Sequence, residues 1–245
     1  MIALNIAASK WAEGYLPKLG TPIADRFREV VLKHIHGNGQ KTVLDIGGGR
    51  SCPFAQDEGD GPAPRIVCID VSESEMRLNE DVAHRVAADA VEGLPFADES
   101  VDVVVSRFLL EHLRDTEAFV QATHRILKRG GYAIHIFPCK FAPYAFANRL
   151  VTRRFSRRLI HALYPWTKGT LGFPAYYDRC HYGGVKKLLE KQGFVLDEMC
   201  FGYEQASYFF FCFPLYVLVA AYDTTLYYLG SKRLCASIAL VARKS

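Results

Sequence analysis

The chain has 245 residues, half of them apolar and 23% charged, with a formal charge of +4. Such a composition can bury a sizeable core and excludes global disorder, and so small a positive excess gives no ground of its own for a nucleic-acid partner. The seven cysteines, an odd number without a CxxC pair, argue against a disulfide framework or a zinc site and fit a reducing cytoplasm.

The first ten residues are mildly apolar but lack a charged leader and a cleavage site, so no signal peptide is read. Residues 21–36 are expected to be helical: Thr21 can cap, Pro22 suits a first turn, and Ile23, Phe27, Val30, Val31 and Ile35 recur at helical spacing. Gly37-Asn38-Gly39 then stops that helix. Five short apolar runs follow, over 42–46, 66–69, 85–88, 101–105 and 132–137, with helices expected over 73–80 and 116–128. Continuous Val/Ile/Leu runs alternating with helices predict an α/β, doubly wound parallel sheet buried on both faces. A helix over 184–191, a sixth strand over 194–200 and a seventh over 237–242 complete it.

The expected organisation is one domain over 1–245. It comprises N-terminal helices (1–40), a core (41–139), a basic insert (140–182), sheet completion (183–200 and 234–245) and an aromatic, apolar insert (201–233). Inserts of this length in a compact domain are usually functional, and the two are expected to form a helical, aromatic cap.

Val43-Leu44-Asp45-Ile46-Gly47-Gly48-Gly49-Arg50-Ser51 reads as a strand entering a glycine turn. Gly47 and Gly49 let the backbone bend and approach a ligand closely. Asp45 stands at a strand's carboxyl end, where open α/β sheets bind ligands. The next strand ends in Asp70-Val71, where an acid can accept both hydroxyls of a ribose. The third ends in Asp89-Ala90, where a carboxylate can accept from an adenine amine and an amide can donate to a ring nitrogen. Three strand-end acids suit an adenosine with a cationic tail better than a pyrophosphate, which an adjacent acid would repel.

The run from Asp45 through Gly49, then Asp70, Asp89-Ala90 and Gly93-Leu94-Pro95-Phe96-Ala97-Asp98-Glu99-Ser100-Val101-Asp102, resembles the class I S-adenosylmethionine-dependent methyltransferases. The likeness is strongest to the ubiquinone/menaquinone-type group. Glu111-His112-Leu113 and Leu127-Lys128-Arg129-Gly130-Gly131 continue it, over about residues 40–139. Ser51 departs from the pattern, standing where many members carry a third glycine. The resemblance implies a seven-stranded Rossmann-like sheet whose last strand is antiparallel, and S-adenosylmethionine as cofactor, with S-adenosylhomocysteine as product. It implies that Gly47 and Gly49 face the methionine part and Asp45 its amino group, that Asp70 holds the ribose and Asp89 the adenine amine, and that Ser106, Arg107 and Phe108 line the donor pocket.

Methyl transfer from a sulfonium is an in-line displacement, so positioning supplies much of the rate. An oxygen acceptor can also need a base. His112, just beyond the fourth strand, is one candidate. Tyr177 and His181 in the first insert are others, the latter with Asp178 nearby to set its tautomer. His135, inside the fifth strand, reads as core. No acid–histidine cluster demands a metal.

Residues 140–180 carry a net +7, leaving −3 for the rest of the chain. Arg149, Arg153, Arg154, Arg157 and Arg158 would share one half of a helix whose other side holds Val151, Phe155, Leu159 and Leu163, which suggests an anionic partner. Residues 205–222 are uncharged. They are expected as a lid over the pocket, a membrane-surface element or a dimer contact, because a single crossing could not return to the same sheet. The expected acceptor is a small or amphipathic molecule: a glycan, a lipid-linked saccharide or a quinone-like metabolite, methylated on oxygen. Peripheral membrane contact and self-association stay open. Three alternatives are an RNA methyltransferase using the arginines, a non-catalytic cofactor scaffold, and a nicotinamide dehydrogenase. Ser106-Arg107-Phe108-Leu109 lacks the Asn/Asp-Pro-Pro-aromatic turn of base-amine methyltransferases, and Cys52 stands where a dinucleotide-binding pattern needs its last glycine.

Overall fold

The structure is a computed structural model and describes residues 1–150 and 173–245. Seven strands form one sheet in the order β3-β2-β1-β4-β5-β7-β6. They are β1 (Thr42–Ile46), β2 (Arg65–Asp70), β3 (His84–Ala87), β4 (Val101–Arg107), β5 (Leu127–Pro138), β6 (Phe194–Gly202) and β7 (Ser237–Lys244). Strands β1 to β5 pair in parallel, and β7 runs antiparallel between β5 and β6. The expected doubly wound sheet with an antiparallel last strand is therefore present.

Alternation along the strands divides the core into two layers. Leu44, Ile46, Val104, Ala133 and Phe137 face one layer. Val43, Cys68, Val103, Val105 and Ile134 face the other, where Phe27, Val31 and Ile35 of α2 (Ile23–Ile35) cover them. The expected Thr21 cap is not made: Pro22 is the N-cap residue, and no side chain caps the helix. Pro22 instead accepts the Asp25 and Arg26 amides through its carbonyl.

Helix α3 (Glu73–Met76) is one turn, shorter than the expected 73–80. Asn79 ends it: its buried amide donates to Gly49 O at 3.1 Å and so pulls the chain onto the glycine turn. Helix α4 (Thr116–Ile126) is capped by Asp115, which accepts from Ala118 N. It stops before the expected 128 because Leu127 already pairs with Val101 as the first residue of β5.

Helix α1 (Ile2–Glu13) packs on the second insert, which is a 3-10 turn (Ala206–Phe209) and then helix α7 (Phe213–Leu229). Pro214 stands in the first turn of α7, where its missing N–H costs nothing. Asn5 accepts the Phe213 amide, Ser9 donates to Phe210 O, and buried Asp223 accepts three N–H donors from Gln205 and Ala206. Among the described residues, no helix is long and apolar enough to cross a membrane. Of the first insert, α5 (Pro143–Leu150) and the stretch from Phe173 are described, leading into α6 (Tyr182–Lys191). The arginine face expected on Arg153, Arg154, Arg157 and Arg158 lies outside the described residues.

Candidate active site

The carboxyl ends of β1, β2 and β4 and the turn after β3 open into a cavity of about 520 Å³, within the range of small-molecule and cofactor sites. Gly47 forms its floor. Its φ is +74°, and a Cβ there would stand 3.0 Å from Leu109 Cδ1, so only glycine fits. The Gly47 amide donates to Ile69 O at 2.7 Å, which fastens the turn to β2.

Asp70 lines the cavity at the end of β2. Its Oδ2 accepts from Gly49 N at 3.1 Å and its Oδ1 from Ser72 N at 2.9 Å. Each oxygen retains a lone pair, so the carboxylate can accept two further hydroxyl donors. Asp89 lines the opposite side. Its Oδ1 accepts from Val91 N at 2.9 Å in an Asx turn, Oδ2 has no partner among the described residues, and Ala90 lies beside it. Val71 and Phe108 add apolar wall, each about half exposed. Phe108 holds φ +51°, an uncommon conformation for a bulky side chain.

Four expected positions, Asp45, Gly49, Ser106 and Arg107, do not line the cavity. Asp45 is fully buried and does not line the cavity, because strand alternation sends Ile46 to the cavity's layer and Asp45 to the other. There Arg107 Nη2 stands 3.5 Å from Asp45 Oδ2 and donates to Ser51 O at 2.5 Å. Burial pushes the Asp45 carboxyl above its usual range, against the pull of Arg107. Among the described residues its Oδ1 has no hydrogen-bond partner of normal geometry, with the Cys52 thiol beside the carboxylate. Arg107 therefore stands at the acid that was expected to face an amino group, and is itself outside the cavity. Ser106 is also withdrawn: its hydroxyl is fully buried, 2.8 Å from His135 Nδ1. Burial holds that imidazole neutral by lowering its pKa to about 3, in keeping with His135 as core.

Of the base candidates, His112 alone lines the cavity. Its Nδ1 donates to Pro174 O at 2.8 Å, which leaves Nε2 as the acceptor of the neutral ring. Tyr177 is buried in the left-handed conformation, its amide donating to Glu111 O. His181 is the N-cap residue of α6. Asp178 does not orient it, for its Oδ2 accepts from Thr116 N.

Two features were missed. Phe173, Pro174 and Tyr176 close the cavity from the first insert, Tyr176 accepting a hydrogen bond from Arg114 Nε at 3.0 Å. An aromatic run after a basic stretch was the available signal. The other is Glu111, whose Oε1 lies 3.9 Å from His112 Nε2. Burial raises its pKa to about 8, and its Oε2 has no partner.

Comparison with known proteins agrees with this architecture. Residues 44–135 match the family described as a methyltransferase domain. A ubiquinone/menaquinone biosynthesis C-methyltransferase of Cupriavidus metallidurans is 34% identical over 102 residues, covering 38% of this chain and 41% of that protein. The chain spans about two fifths of the length of the curated relatives it matches. Among solved structures, one described as a putative methyltransferase from Bacillus halodurans superposes with TM-score 0.52 at 20% identity, covering 89% of this chain and 98% of that one. Geranyl diphosphate C-methyltransferase from Streptomyces coelicolor, crystallised with Mg²⁺, geranyl diphosphate and S-adenosylhomocysteine, superposes with TM-score 0.51 at 13% identity, covering 91% and 79%. Residues 44–135 thus match a methyltransferase domain on a fold shared with solved methyltransferases, as the resemblance to the class I S-adenosylmethionine-dependent enzymes implied.

Proposed function

We propose that the protein transfers a methyl group from S-adenosylmethionine to a small, amphipathic acceptor. The observation that carries this reading is one cavity bounded by Gly47, Asp70 and Asp89, with Asp70 and Asp89 each keeping acceptor capacity. In it Asp70 accepts the ribose hydroxyls, Asp89 the adenine amine, and Ala90 lies against the ring. When bound, the cofactor supplies a methyl group already activated on a sulfonium. Asp45 acts from beneath the turn: it holds Arg107, and Arg107 holds Ser51, so the glycine loop keeps its shape.

His112 Nε2 is the group placed to take a proton from an acceptor hydroxyl. With the methyl donor bound, the acceptor's hydroxyl proton would pass to His112 Nε2 as the oxygen takes the methyl group. Phe108, Phe173 and Tyr176 form an apolar wall that suits a greasy acceptor. Calorimetry with S-adenosylhomocysteine, followed by a donor-turnover screen over glycan, quinone-like and lipid-linked acceptors, tests the reading. Micromolar binding with turnover on one class supports it. Absence of binding refutes it. Binding without turnover on any acceptor favours the non-catalytic scaffold.

A further inference from the structure

Beyond the cofactor cavity, at the same edge of the sheet, lies a group of cations without counter-charges among the described residues. Lys140 follows β5 and Arg233 precedes β7. Because β7 is antiparallel, both stand at the edge where β1 and β4 end. Both flank one ring: Lys140 Nζ is 5.3 Å and the Arg233 guanidinium 5.4 Å from the centre of Phe141. His181 meets the same ring edge-on at 5.5 Å. Lys232 lies 5.4 Å over Tyr182, the next residue.

Among the described residues, none of Lys140, Arg149, Lys232 and Arg233 pairs with a carboxylate. Residues 141–177 contain no Asp or Glu at all. Arg179, which adds to the positive field around His181, has only Asp178 at 3.8 Å. Asp223 is engaged by the Gln205 and Ala206 donors. His181 has a buried Nδ1 with no partner, and its ring folds over Gly184, where a Cβ would collide with it. The first turn of α6 carries no acid and no side-chain cap, and Gly183 opens to solvent there, so its amides add positive potential toward the same place.

Like charges gathered at one place repel one another, and a bound anion would offset that repulsion. The cluster also connects to the cavity. Arg149 donates to Lys140 O at 2.7 Å and stacks over Tyr177, whose amide holds Glu111 beside His112.

We propose that Lys140, Lys232 and Arg233, with the start of α6, form an anion subsite for a phosphate or diphosphate group on the acceptor. The assignment to the acceptor rests on the methyl-transfer reading; the subsite itself is tested without it. Inorganic pyrophosphate is titrated into the full chain by calorimetry, with S-adenosylhomocysteine titrated in parallel. Sedimentation with phosphatidylcholine vesicles, with and without 20% phosphatidic acid, distinguishes a lipid headgroup from a free ligand. Lys140→Gln/Arg233→Gln should weaken the anion probe by about tenfold or more, while Lys140→Arg should keep it. S-adenosylhomocysteine affinity and melting temperature should stay at wild-type values in both. Loss confined to pyrophosphate assigns a soluble phosphorylated acceptor, and loss confined to the phosphatidic acid vesicles assigns a lipid phosphate. No binding of either probe, or binding unchanged by the double substitution, overturns the subsite. Variant-sensitive binding of a probe with no binding of S-adenosylhomocysteine would keep the subsite and refute the methyl-donor reading.

Discussion

Asp70→Asn separates the two duties the structure gives one carboxylate. In the wild type its oxygens accept Gly49 N and Ser72 N. An amide of the same shape keeps one of these bonds and turns N–H against N–H at the other. Leaving such a donor unpaired costs about 1–3 kcal/mol. A ribose would add two charge-assisted hydrogen bonds, each ~1.5–3 kcal/mol, so affinity for S-adenosylhomocysteine should fall by a factor on the order of 10²–10⁴. Asp102→Asn is the control. Asp102 also accepts a backbone amide, Thr42 N at 2.9 Å, and holds Lys128 at 2.8 Å, but from the opposite edge of the sheet. It should lose similar stability and no affinity. Thermal unfolding and calorimetry on both variants read the two effects separately. Folded Asp70→Asn that binds S-adenosylhomocysteine within threefold of wild type would refute the placement of the ribose.

Four further outcomes follow from the same contacts. Gly47→Ala forces a side chain into φ +74° against Leu109, which should cost ~1–2 kcal/mol from the backbone alone and lower cofactor affinity in calorimetry. Ser106→Ala leaves His135 Nδ1 unpaired in the core and should lower stability by about 1–3 kcal/mol without changing that affinity; a change in affinity would return Ser106 to the pocket wall. Asp223→Ala removes the acceptor of three N–H donors and should destabilise by ~2–4 kcal/mol, read by denaturant unfolding.

The last concerns pH. Glu111 has its folded pKa raised from 4.5 to about 8. Between those values the folded chain holds a proton that the unfolded chain has released, so stability contributed by this group falls as pH rises through the window and levels off above it. Glu111→Gln should remove that component. Its melting temperature relative to wild type should therefore climb from pH 5 to pH 8, and a constant difference would contradict the burial of an uncompensated carboxyl.

Much of the fold was legible because its signals are local. Short apolar runs marked the first five strands, the last two were read as completing the sheet, and Asp70 and Asp89 marked the cavity they line. Asp45 was misplaced although strand alternation gives its side: with Leu44 and Ile46 facing one layer, the residue between them faces the other. Ser106 and Arg107 were assigned by proximity in sequence, and their partners, His135 and Asp45, are distant in it. The end of α3 was set by Asn79 reaching Gly49, thirty residues away. The counterpart cluster at Phe141 joins the two inserts, and composition alone, a +7 stretch, hinted at it.

The most direct test of the account is a crystal structure grown with S-adenosylhomocysteine. The ribose hydroxyls should lie within hydrogen-bond distance of Asp70, with the adenine beside Asp89 and Ala90. Ligand bound away from Gly47, Asp70 and Asp89 would contradict it.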